Sequence, residues 1–155
     1  MNVVNEVMPS DPEQLKAMMA PGPEGPIFMV NLLKFKDRAE YEDGRETDLS
    51  GRDAYMIYGR EVAKLLGEYG GCLVFSADVT HLTLGQAEEL WDEVAIAAYP
   101  DRNALLRMSS SREWQESAVH RTAGLKGQLN IETVLTPDAS LPGWLTQLAA
   151  DIKGA

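Results

Sequence analysis

Pro26-Ile-Phe-Met-Val-Asn-Leu-Leu-Lys-Phe-Lys36 is an apolar strand with an amide, Asn31, and an amine, Lys34, set into it. A second stretch, Leu90-Trp-Asp-Glu-Val-Ala-Ile-Ala-Ala-Tyr-Pro-Asp-Arg102, carries Asp92 and Glu93 at the head of an otherwise greasy run. Polar groups inside a sheet cost stability unless they are paired. These residues therefore need a structural partner or a chemical role, and together they point to a polar pocket on a sheet.

Outward from the first strand, Ser10-Asp-Pro-Glu13 has the form of a helix start, and Leu15, Met18 and Met19 give that helix an apolar face. Ala20-Pro-Gly-Pro-Glu-Gly-Pro26 stops it, so an N-terminal helix is predicted over about 10–20. On the other side, Ser50-Gly-Arg-Asp53 opens a helix with Ala54, Tyr58, Val62, Leu65, Leu66 and Tyr69 in one stripe, ended by Gly70-Gly71. Cys72 to Leu84 reads as one long strand, rich in β-branched and aromatic residues. Gly85 to Glu89 then connects it to the strand holding Trp91 and Asp92. Pro100 closes that strand, Asp101 caps a helix carrying Leu105, Leu106 and Met108, and a short helix from Ser111 to His120 continues from it. Leu125 to Leu135 is the last strand. Thr136 to Gly143 is a linker, and Trp144 to Ile152 a small terminal helix.

The order of the core, about 26–135, is β-α-β-β-α-β. This predicts a single ferredoxin-like α+β domain across residues 1–155, with an antiparallel sheet and its helices on one face. The third strand is apolar on both parities (Val94, Ile96 and Ala98 against Ala95, Ala97 and Tyr99), and so is the first. A sheet greasy on both faces must be covered on both. Two covers are open: the sheet of a second copy, giving a two-fold homodimer, or the terminal helices of the same chain.

Composition narrows the partners. At 155 residues the chain is long enough to bury one sizeable core. Its net charge of −10 argues against nucleic acid or an anionic membrane. No apolar run approaches the ~20 residues of a membrane span, and the N-terminus lacks a signal-peptide pattern. The one cysteine, Cys72, cannot form an internal disulfide and is expected in a reducing cytoplasm. Asp37 to Asp48 holds six acids against two arginines without calcium-loop spacing, so a solvated loop is expected. Whether it closes over a pocket stays open.

Val30-Asn-Leu-Leu-Lys-Phe35, Tyr55-Met-Ile-Tyr-Gly59, Gly70-Gly71, Trp91-Asp92, Tyr99-Pro100 and Arg121-Thr-Ala-Gly-Leu125 together resemble domain-of-unknown-function family 1330 over about Pro26 to Val134. The resemblance implies the dimeric α+β barrel superfamily and a sheet-to-sheet dimer. That superfamily includes muconolactone isomerases, cofactor-independent monooxygenases and haem-binding chlorite dismutases, so the fold alone names no activity.

With the first and third strands adjacent, Asn31 and Asp92 are expected to be neighbours. Asp92 would act as a base against the apolar wall of Trp91, and Asn31 would orient a carbonyl or enolate oxygen; alternatively the pair pins strand register. Lys34 points to the face opposite Asn31. Tyr55 and Tyr58 share a helix face, where a phenol would donate to a substrate oxygen or simply pack in the core. Arg102, at a strand end, would clamp a carboxylate or form a salt bridge. His81 and His120 have no metal-ligand spacing, so no protein-defined metal site is expected; a haem ligand stays open though nothing around either histidine calls for it, and with no glycine-rich phosphate loop or dinucleotide fingerprint no cofactor is expected. Cys72 reads as apolar packing, and Ser109-Ser-Ser111 lacks a nucleophile elbow. Three functions follow: a cofactor-independent enzyme transferring a proton beside a carbonyl of a small oxygenated molecule, a non-catalytic ligand-binding or sensor dimer, and a purely structural dimer.

Overall fold

The computed structural model describes residues 3–137, 139 and 143. The C-terminal helix expected over Trp144 to Ile152, with part of its linker, lies outside them. The elements run α1 (Pro12–Met19), β1 (Ile27–Phe35), α2 (Gly51–Glu68), β2 (Cys72–Asp78), β3 (Glu93–Tyr99), α3 (Arg102–Ser109), α4 (Arg112–Gly124) and β4 (Leu125–Thr133). The four strands form one antiparallel sheet in the order β2-β3-β1-β4. This is the ferredoxin-like arrangement that the strand pattern predicts.

Local chemistry sets the helix starts. Side chains of Asp11, Ser50, Asp101 and Ser111 each accept a backbone N–H from the first turn of α1, α2, α3 and α4. Gly70, at φ 77°, turns the chain from α2 into β2. Packing follows strand alternation. Ile27, Met29, Leu33 and Phe35 of β1 and Ala95, Ala97 and Tyr99 of β3 face the helices, meeting Leu65, Leu66, Met108 and Tyr55. Phe28, Val30, Leu32 and Lys34, with Val94, Ile96 and Ala98, point the other way.

Three expectations change. β2 ends at Asp78 rather than Leu84, and Trp91 and Asp92 precede β3 rather than belong to it. For β3 the reason is a side chain: Asp92 Oδ2 accepts the Phe35 N–H at 2.8 Å, taking the place of a ladder partner beyond Leu33↔Glu93. α4 runs four residues past His120, since nothing breaks it before Gly124. Finally, α1 buries none of its residues; its C-terminal carbonyls, Ala17 O and Ala20 O, are held instead by Arg102 Nη1 at 3.0 and 2.8 Å.

Two close approaches tie the ends of the fold together. A Cβ on Gly51 would lie 2.5 Å from Gly124 O, so α2 and α4 meet backbone to backbone. Beside the sheet, Val4 O accepts the Gln128 N–H at 3.0 Å, laying the N-terminal segment along the free edge of β4.

Candidate functional site

Register separates the two residues expected to pair. Asn31 stands opposite Ala95 and Asn130, on the helix side of the sheet. Asp92 lies past the Leu33↔Glu93 pair, beside Lys34, so the expected Asn31–Asp92 contact is replaced by two separate clusters. Two bulges and a ladder end lie in this sheet, and register of that kind is not written in hydrophobic alternation.

Asn31 is fully engaged. Its Oδ1 accepts from Gln128 Nε2 at 2.6 Å and Asn130 Nδ2 at 3.0 Å. Its Nδ2 donates to Met29 O at 3.0 Å and Ala95 O at 3.3 Å. Gln128 Oε1 in turn accepts from Arg121 Nε and Nη2 at 3.0 and 2.6 Å, and Arg121 also donates to Asn5 Oδ1 and Glu6 O. A polar ladder therefore runs from the N-terminal segment through the buried Arg121 to the sheet centre.

The Lys34–Asp92 cluster sits at the end of the sheet. Lys34 Nζ donates to Asp92 Oδ1 at 2.9 Å and to Leu90 O at 2.8 Å, with Glu89 3.7 Å away. The hydrogen bond from Lys34 to Asp92 holds its ammonium above the ordinary lysine range. Trp91 is buried, and its Nε1 has no hydrogen-bond partner among the described residues. Arg102 forms a two-point ion pair with Glu132 (2.7 and 2.6 Å) while it holds α1.

Phenols gather on the helix side. Phe35, Tyr55, Tyr58 and Trp114 form an aromatic chain with centroid spacings of 5.4, 5.4 and 6.2 Å. Tyr99 projects from β3 on the same side of the sheet. Burial pushes the phenols of Tyr55, Tyr58 and Tyr99 up. Tyr55 and Tyr99 each lie within electrostatic reach of Tyr58, and Arg121 pulls against burial at Tyr55 and Tyr58. Among the described residues no hydrogen bond ends on the hydroxyl of Tyr55 or Tyr99. Protonated phenols are donors, so the group offers hydrogen bonds to an oxygen acceptor.

Tyr55, Tyr58 and Asn31 of this region are candidates from sequence, and Glu93 stands out there as a polar residue in need of a partner, whereas Tyr99, Gln128 and Asn130 have no role assigned. A signal for the strand residues exists: Gln128, Asn130 and Glu132 are polar at every second position of β4. Glu93 faces the helices, buried, accepting from Ser76 Oγ at 2.8 Å and Arg52 Nη1 at 3.3 Å.

Elsewhere, the acidic loop forms a depression lined by Arg38 to Asp48, and a smaller one lies between it and α4; neither touches Asn31, Asp92 or Tyr58. Tyr41 of that loop stands 2.7 Å from His120 Nδ1. His81 lies near the hydroxyls of Thr80 and Thr83. Burial pushes the Cys72 thiol up, which opposes thiolate chemistry. No helix among the described residues is long and apolar enough to cross a membrane.

Fold and site together define a ferredoxin-like α+β protein with a phenol-lined region between helices and sheet. No family model and no curated protein matches the chain. Among solved structures, the methylated RPA0582 protein is 33% identical over 87% of this chain and 98% of that one, with a TM-score of 0.76. The RPA0582 protein of unknown function from Rhodopseudomonas palustris is 30% identical over 86% and 100%, with a TM-score of 0.74. The chain belongs to the RPA0582 family. A dimeric ferredoxin-like protein of unknown function from Jannaschia sp. CCS1 is 16% identical over 72% of this chain and 100% of that one, with a TM-score of 0.48.

Proposed function

We propose that the protein binds a small oxygenated organic molecule, a carbonyl compound or carboxylate, in the region between α2, α4 and the helix side of the sheet. The reading includes a cytoplasmic homodimer, closed through the outer sheet face, and membership of domain-of-unknown-function family 1330. The observation that carries the ligand is the phenol group: Tyr55, Tyr58 and Tyr99 within mutual electrostatic reach, with the Tyr55 and Tyr99 hydroxyls offering donors that no described residue uses. Phenol donors that no protein group uses suit a ligand that supplies oxygen acceptors.

Binding is favoured over proton transfer by one specific geometry. The base proposed for catalysis, Asp92, already has both carboxylate oxygens engaged, one by the Lys34 ammonium and one by the Phe35 N–H. Asn31 supports the site by fixing Gln128 and Asn130, and Tyr58 and Tyr55 are its ligand donors. Lys34, Trp91 and Arg102 act in the frame. No cofactor enters this reading.

The test is a ligand-observed NMR screen of small carbonyl compounds and carboxylic acids, repeated on Tyr55→Phe and Tyr99→Phe. Hits that weaken about 5- to 10-fold in either variant, as loss of one hydrogen bond of about 1 kcal/mol predicts, support the site. Hits indifferent to both substitutions would remove it. Turnover of a hit that vanishes in Asp92→Asn would restore the catalytic reading.

A further inference from the structure

The strand pattern and the fold disagree at one place, and the disagreement has a direction. Thr80-His-Leu-Thr-Leu84 continues the β-branched and apolar run of β2, yet β2 stops at Asp78. Val79 N donates to Asp92 O at 2.9 Å, closing the connection. Beyond it, no backbone N–H from Thr80 to Leu84 reaches a backbone acceptor among the described residues. Leu82 is 46% and Leu84 91% exposed. A sequence suited to a strand thus lies in solvent with its backbone groups open and two leucines outward.

The outer sheet face has the complementary shortage. Four strands of seven to nine residues, at about 4.8 Å spacing and about 3.3 Å per residue, give a footprint on the order of 500 Å². Within it Phe28 and Ala98 are already covered, while Phe75 and Ile131 stand half exposed. A standard interface buries about 800 Å² of accessible surface on each partner, so contact beyond this small and partly covered face adds to the pair. Charge favours self-association here. The chain carries −10, but Val79 to Gly85 holds no carboxylate, lysine or arginine, and on the outer face Phe28, Val30, Leu32, Val94, Ile96, Phe75 and Ile131 are uncharged while Lys34 is already paired with Asp92. Two copies meeting through these surfaces avoid most of their mutual repulsion.

We propose that Thr80–Leu84 is an exchange arm: in the dimer it extends β2 as a strand onto the second copy, where Leu82 and Leu84 are covered and its backbone groups are paired. The inference rests on the sheet-face dimer and adds the segment that completes it. The arm then contributes to both subunits, as an isologous contact requires.

Hydrogen exchange and sedimentation on the full chain test it. Wild type is expected to be dimeric, with the amides of Leu82, Thr83 and Leu84 protected at least 10-fold above their rate in diluted monomer. Leu82→Asp/Leu84→Asp is expected to raise the dimer Kd at least 100-fold while the monomer keeps its circular dichroism, both side chains being solvent-facing. A wild-type dimer whose arm amides exchange at unprotected rates, or a double variant with unchanged Kd, overturns the arm and leaves the face-to-face dimer standing. A wild type that stays monomeric at high concentration overturns both.

Discussion

Asn31 shows what a single polar side chain can do inside a sheet. Every donor and acceptor of its amide is used, and by three strands: its own, β3 and β4. That accounts for its presence without chemistry, and it explains why the sequence singled it out yet misjudged its partner. Polarity in an apolar run is visible in one dimension. The identity of the neighbour, Gln128 rather than Asp92, depends on register across a long separation. His120 carries the pH dependence at this scale. Burial, with Arg45 nearby, holds its imidazole below the ordinary value of 6.5, while Tyr41 stands 2.7 Å from Nδ1. Because the unfolded chain takes up this proton first, folding stability is expected to be intact above pH 6.5 and to fall as pH drops from there toward the folded imidazole's own lower value. Urea denaturation across that range checks it. His120→Gln is expected to flatten the slope, and an unchanged slope would move the effect elsewhere.

At the scale of elements, the glycines of α2 separate into two kinds. Gly59 sits mid-helix with no atom within 4 Å of a new Cβ. Gly59→Ala is expected to stabilise the protein by about 0.5–1 kcal/mol through helix propensity and loss of unfolded-state freedom. Gly51→Ala meets Gly124 O and the Lys36 backbone, and is expected to cost about 1–3 kcal/mol through overpacking. Paired denaturation curves decide both, and equal signs would contradict the packing described. Element types were readable because caps and periods are local: Ser50, Asp101 and Ser111 start helices where their residue types say they should. Ends were less readable. β2 stops at Asp78 because its partner strand begins only at Glu93, and no window of sequence around residue 80 contains that fact.

Over the whole molecule, strand order followed from the β-α-β-β-α-β pattern, and two-sided greasiness gave the need for a second cover. The phenol region was half legible. Tyr55 and Tyr58 declare themselves by spacing on α2, while Tyr99 hides in an apolar strand and the buried partners of Arg121 come from distant parts of the chain. Ile131→Asp, on a half-exposed position pointing away from the helices, is expected to shift sedimentation from dimer to monomer with little change in monomer stability. A variant that remains dimeric would assign association to another surface.

The Val4–Gln128 bond along β4 has a consequence for how far assembly can proceed. The sheet has two rims, and one of them is strapped by the chain's own first residues, tightly enough that Gly127 has no room for a side chain. Strand addition across that stretch of β4 is thereby obstructed, which leaves β2 as the rim suited to it. An object that can bond on one rim alone makes pairs; with both rims open, the same backbone chemistry would propagate into filaments. The N-terminal strap works as a chain terminator for the sheet.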